Sequence, residues 1–67
     1  MTVDEAVAAL DVFLNEALLA GHPQVQVIHG RSGGLLKRAV HARLKQLPAI
    51  RAFRLDPRNP GMTIVSL

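Results

Sequence analysis

The run Ile28-His29-Gly30-Arg31-Ser32-Gly33-Gly34-Leu35-Leu36-Lys37-Arg38 decides the fold. Ahead of it, Val25 to His29 is uncharged and rich in β-branched residues, bounded by Pro23 and by glycines, which predicts a short buried strand. Behind it, Leu36, Ala39, Val40, Leu44 and Leu47 recur at helical spacing, and Pro48 ends a helix predicted from about Leu35 to Leu47. A strand that passes through a glycine turn straight into a helix is the entry unit of an α/β fold. It delivers His29 to the end of the sheet where such folds bind ligands.

Working outward, Val3, Ala6, Val7, Leu10, Phe13, Leu14, Ala17 and Leu18 mark one face of an amphipathic helix over residues 3–20. Thr2 and Glu5 have the spacing of a capping box, Gly21 supplies a left-handed stop and Pro23 forbids continuation. On the far side, residues Ile50 to Leu55 alternate apolar positions with Arg51 and Arg54, as a half-exposed strand does. The turn-formers Asp56-Pro57-Arg58-Asn59-Pro60-Gly61 then lead into a last strand over Met62 to Leu67. The order α-β-α-β-β predicts an α/β (α+β) two-layer sandwich of two helices on one sheet. Crossover logic places a further strand before Thr2, which points to a trimmed chain.

Composition narrows the function. The 67 residues allow one domain with a thin, aliphatic core, Phe13 and Phe53 being its only aromatics. Both are expected in the core, which removes stacking platforms for single strands. No cysteine is present, so thiol chemistry and cysteine-based zinc sites are excluded. No ligand spacing assembles a metal site, and Asp4, Glu5, Asp11 and Glu16 read as helix-surface acids. No apolar run approaches the roughly 20 residues of a membrane span, and the acidic start is unlike a signal peptide, so a cytoplasmic protein is expected. The net charge of +3 is unevenly spread. Residues 1–30 hold four acids and no Lys or Arg, a charge of −4; residues 31–67 hold eight bases against Asp56 alone, a charge of +7. That asymmetry predicts a basic face and an anionic partner, or else a solvated surface that serves solubility.

The turn supplies the candidate chemistry. The second helix presents unpaired N–H groups and its positive dipole end, which suit a phosphate. Gly30, Gly33 and Gly34 let the backbone approach closely, Arg31 can fork onto phosphate oxygens, and Ser32 is a candidate N-cap or phosphate hydroxyl contact. The spacing is neither a Walker A loop nor a dinucleotide fingerprint. His29 is either a phosphate contact and general acid/base, or a strand-end histidine bonded to a neighbouring carbonyl. Lys37, His41 and Lys45, with Arg38 beside them, form a stripe expected opposite the leucine face. It either tracks a nucleic-acid backbone or is simply solvated. Arg51 and Arg54 would widen the basic track.

At Thr2-Val3-Asp4-Glu5-Ala6, at His29-Gly30-Arg31-Ser32-Gly33-Gly34 and at Thr63-Ile64-Val65, the chain resembles the Smr (small MutS-related) domain, which ends a bacterial MutS paralogue lacking the mismatch-recognition region. The likeness runs over the whole chain. It implies a βαβαββ fold with a mixed sheet, nicking endonuclease activity, and binding to DNA or RNA without sequence reading. His29 would then be the catalytic residue. Parents of this kind resemble homodimeric ATPases associated with branched DNA, suppression of recombination and rescue of collided ribosomes; their ATP site would lie outside these residues. No cofactor is expected in this segment, and a need for divalent metal is left open. The family's first strand carries an Asp followed by His or Arg and would lie ahead of residue 1, so weak or absent cleavage is expected of this segment alone. The family turn is usually His-Gly-Lys-Gly-Thr-Gly; here Ser32 and Gly33 replace Gly and Thr, while His29, Gly30 and Gly34 keep their places. The rivals are a non-catalytic module that docks on DNA, RNA or the ribosome, and a protein-interaction domain with incidental charge.

Backbone-driven binding has a measurable signature. Neutralising about three to six phosphates gives a log–log slope of affinity against salt of about −2 to −5, for DNA and RNA of unrelated sequence. A fluorescence-anisotropy series across salt checks this, and a flat response would point to the protein-interaction reading.

Overall fold

Thr2 stands at the head of α1, Val3–Ala20, in the computed structural model, which describes residues 2–30 and 34–67. Both bonds of the capping box are formed. The Glu5 N–H donates to Thr2 Oγ1 at 3.1 Å, and the Thr2 N–H donates to Glu5 Oε1 at 3.3 Å. At the other end Gly21 adopts φ 79°, a conformation open to glycine at little cost. Its N–H donates to Leu18 O and that of His22 to Ala17 O, each at 3.1 Å, closing a Schellman motif.

Strand β1, Gln24–Ile28, follows, then α2, Leu35–Gln46, β2, Ala52–Leu55, and β3, Met62–Ser66. The element order is the one expected. β2 is shorter at its start because the Ile50 N–H donates to Leu47 O at 3.2 Å, spending that residue on the turn out of α2. The loop between β2 and β3 is held by two side chains: Asp56 Oδ1 accepts from the Arg58 N–H at 2.7 Å and Asn59 Oδ1 from the Gly61 N–H at 3.0 Å.

The sheet order is β1-β3-β2, and both pairings are antiparallel. The mixed sheet expected of the six-element fold is therefore not what these three strands form. β1 and β2 run parallel, joined through α2, but β3 is inserted between them and no parallel pair is hydrogen-bonded among the described residues. Register sets the two faces, because side chains alternate along a strand. Val25, Val65 and Phe53 form one cross-strand row and Val27, Thr63 and Leu55 the next, on the face beneath the helices. Gln26, Ile64 and Arg54 form a row on the opposite face, which no helix covers.

Leu10, Leu14, Val40, Leu44 and Val65 make the core, bringing both helices onto the central strand. Asp11 and Arg43 tie α1 to α2 through two parallel bonds, Nε to Oδ1 and Nη2 to Oδ2, each 2.9 Å. Asp11 is thus a bridging acid rather than a plain surface one. Phe13, expected in the core, is 44% exposed. It lies beside Gln26, Val27 and Ile28 at the outer edge of β1, where the sheet ends among the described residues.

Stability should follow burial. Leu44 is 1% exposed, so Leu44→Ala is expected to cost about 2–5 kcal/mol. A domain of this length has roughly 3–10 kcal/mol in all, so the variant should lose a large share of its stability, read as a lower midpoint in urea titration. Leu19, 81% exposed on α1, should tolerate alanine within about 0.5 kcal/mol. Equal losses at the two positions would contradict this packing.

Candidate functional site

His29 leaves β1 one residue past its last ladder position, and the backbone there is clamped. Gly61 O accepts from the N–H of His29 at 2.9 Å and of Gly30 at 3.0 Å, joining the start of the turn to the loop that precedes β3. Gly30 then takes φ 82° and Gly34 φ 70°. Arg31, Ser32 and Gly33 lie outside the described residues. Gly34 is the N-cap of α2 and has no side chain with which to accept from the first-turn N–H groups. The first turn also carries no acidic residue. Among the described residues no side chain caps these donors, and a helix start of this kind suits an anion.

The His29 ring packs inward, 7% exposed, under the helices. Its Nε2 lies 2.8 Å from Thr63 Oγ1 and its Nδ1 3.1 Å from Gly30 O. Thr63, fully buried at 0% exposure, meets a second histidine: His41 Nε2 is 2.7 Å from the same hydroxyl. The two rings stand edge to face at 86° with centroids 5.9 Å apart, and His41 also packs on Phe53 at 5.0 Å. The partners assign the protons. A carbonyl only accepts, so His29 Nδ1 carries its proton and Nε2 accepts from the Thr63 hydroxyl. With that single proton used, Thr63 Oγ1 accepts from His41 Nε2–H. The chain has one direction: His41 to Thr63 to His29 to Gly30.

His41 therefore does not lie on a stripe opposite the leucines. It follows Val40 by one residue, about 100° round the helix, and turns in over β3 towards Thr63. Burial is the main cause that lowers its pKa from the ordinary value, and the nearby charges of His29, Lys37 and Lys45 lower it further. The neutral ring is the favoured form.

The basic residues are not all brought together. Lys37 and Arg38 sit in the first turn of α2, beside the Gly30–Gly34 turn. Lys45 is eight residues further on, about 12 Å along the axis. Arg51 is at the opposite end of the sheet, where its N–H donates to Ser66 O at 2.9 Å. Arg54 pairs with Ile64 on the sheet face turned from the helices. Arg58, not singled out in the sequence, is exposed on the loop that meets the turn through Gly61. Thr63 was visible only as part of a terminal strand motif. Its signal was a polar residue at an inward position between Met62 and Val65, where a buried hydroxyl must find a partner. Among the described residues, no three His, Asp or Glu side chains gather as a metal cluster, and no helix is long and apolar enough to cross a membrane.

The comparisons with known proteins agree in one direction. The family model described as Smr domain matches residues 1–67. The chain is 46% identical over 67 residues to Endonuclease MutS2 of Lachnospira eligens, covering 96% of this chain and 8% of that protein. It is 43% identical over 70 residues to Endonuclease MutS2 of Solidesulfovibrio magneticus, covering 100% of this chain and 9% of the relative. The chain thus spans less than a tenth of the length of these relatives. The crystal structure of the Smr domain of Thermus thermophilus MutS2 superposes with a TM-score of 0.96 at 30% identity, covering 100% of this chain and 88% of that one. On family match, sequence identity and fold together, the chain belongs to the Smr domain family.

Proposed function

We propose that this domain grips the phosphate backbone of DNA or RNA at the Gly30–Gly34 turn and cleaves a phosphodiester there, with His29 as general acid–base. The observation that carries the reading is that His29 follows β1 with its Nδ1 directed at the Gly30 carbonyl at 3.1 Å, while α2 begins after Gly34, which has no side chain to cap the first-turn N–H groups. Those donors, with Lys37 and Arg38, suit the charge that develops on a phosphate under attack. The relatives' name, endonuclease, supports the same chemistry. Contacts of this kind read no base, so binding is sequence-independent.

For the whole protein, we extend the proposal to branched DNA or structured RNA, to a role in suppressing recombination or rescuing collided ribosomes, and to a homodimeric ATPase parent in the cytoplasm. ATP binding would then belong to the parent. A second reading, docking on nucleic acid or the ribosome without cleavage, is favoured by the burial of His29 and the engagement of both its nitrogens.

One variant tests the phosphate grip and a second separates these readings. Arg31→Ala should weaken nucleic-acid binding by roughly 1.5–3 kcal/mol, the worth of a charge-assisted hydrogen bond, while leaving the melting temperature unchanged; a variant that unfolds instead makes Arg31 structural. Cleavage of branched DNA and structured RNA is then followed in the parent chain and in His29→Gln, with circular dichroism as the fold control. A positioned acid–base group contributes about 10²–10⁴-fold, so a folded His29→Gln protein should lose at least the lower figure and keep its affinity. A parent chain that binds tightly and never cuts supports the docking reading.

A further inference from the structure

His29 presents a difficulty for acid–base work: a ring that is 7% exposed and bonded at both nitrogens exchanges protons with water poorly. His41 is better placed, being half-buried, and among the described residues its Nδ1 has no hydrogen-bond partner. The Thr63 hydroxyl stands between them at 2.8 and 2.7 Å, short enough for proton transfer in either direction. Resting on the nuclease reading above, we propose that Thr63 joins His41 and His29 into one proton relay, through which the buried His29 is reloaded during phosphodiester cleavage. Thr63 and His41 are positioning residues in this scheme and do not touch the substrate.

The protons balance at each step. A proton arriving at His41 Nδ1 makes that ring an imidazolium. Its Nε2 proton passes to Thr63 Oγ1 as the hydroxyl proton passes to His29 Nε2. His41 is then neutral with its proton on Nδ1, and His29 is protonated on both nitrogens. His29 gives its Nδ1 proton to the departing oxygen of the phosphodiester, while water supplies the new P–O bond. The next proton taken up at His29 Nδ1, from the P–OH that the water has formed, drives the hydroxyl chain back and expels a proton from His41 Nδ1.

One hydroxyl has one proton to give, so the chain accommodates one extra proton at a time. Every charged neighbour acts in that sense. His41 faces His29 from the end of β1 and Lys37 and Lys45 from its own helix, while β2 and β3 face it with the uncharged Phe53 and Thr63. None of these groups is an acid that would hold a second proton in place.

The test uses the intact chain, labelled with ¹⁵N, and long-range proton–nitrogen spectra of the histidine rings across about pH 5–8. The expected result is a neutral His29 protonated on Nδ1, a neutral His41 protonated on Nε2, and ring-nitrogen shifts of His29 that follow the titration of His41. Thr63→Ser keeps the hydroxyl and should keep that coupling; Thr63→Val should abolish it. His41→Phe, which retains a ring against Phe53, should also remove the perturbation from His29 if the valine variant does not fold. In cleavage assays Thr63→Val and His41→Phe should lower kcat by about 10²-fold, the lower end of what a positioned acid–base group contributes, with KM unchanged and Thr63→Ser near the parent rate. The relay is overturned if His29 is protonated on Nε2, or if removing the hydroxyl leaves the response of the His29 ring to His41 and kcat as they were. A chain that never cleaves removes the nuclease reading alone. Loss of that response in Thr63→Val would still support the relay, and an unchanged response would overturn it.

Discussion

A single buried hydroxyl organises this domain. Thr63 lies on the central strand at 0% exposure, so both of its hydrogen-bonding roles must be met inside the protein. Two histidines meet them, one from the end of β1 and one from α2. The same contact ties the residue after β1 and the inner side of α2 to the central strand, and leaves His29 Nδ1 directed at the Gly30 carbonyl. An apolar residue at this position would leave the Nε2 atoms of both rings without this partner. Unmet buried polar groups cost about 1–3 kcal/mol each, a large share of what a domain this small has in reserve.

The glycine turn depends on that arrangement from the other side. Gly61 O takes the N–H groups of both His29 and Gly30, so the turn starts from a point pinned to the β2–β3 loop. Helix α2 begins after Gly34, which has no side chain to cap its first-turn N–H groups. Arg31 belongs to the turn by sequence, Lys37 and Arg38 follow on α2, and Arg58 lies on the neighbouring loop. Lys45, Arg51 and Arg54 serve only a partner that spreads over the rest of the molecule.

Much of this was legible in the residues, and the exceptions share a cause. The capping box at Thr2 and Glu5, the stop at Gly21 and the turn formers after Asp56 act within a few residues, so their chemistry is complete in the local sequence. The faces of the long elements are settled at a distance. Lys37, His41 and Lys45 share an i, i+4 stripe, yet His41 turns inward because a hydroxyl on β3, 22 residues away, offers it a partner. Phe13 repeats in phase with Leu10 and Leu14 but falls over the edge of β1 instead of onto the sheet. Periodicity likewise says nothing of strand order, and the insertion of β3 between β1 and β2 makes the sheet antiparallel throughout. Nor could spacing reveal that Asp11 and Arg43 would meet across two helices.

The central claim is that phosphate sits at the turn between His29 and the start of α2, and amide and ring chemical-shift mapping tests it most directly. A short oligonucleotide of arbitrary sequence is titrated into the ¹⁵N-labelled chain. The account predicts that the amides of Gly30, Gly34, Leu35 and Leu36 and the His29 ring nitrogens shift together and saturate together, while Gln24 and Arg51 at the opposite end stay still. Shifts confined to Gln26, Arg54 and Ile64, on the face turned from the helices, would contradict it.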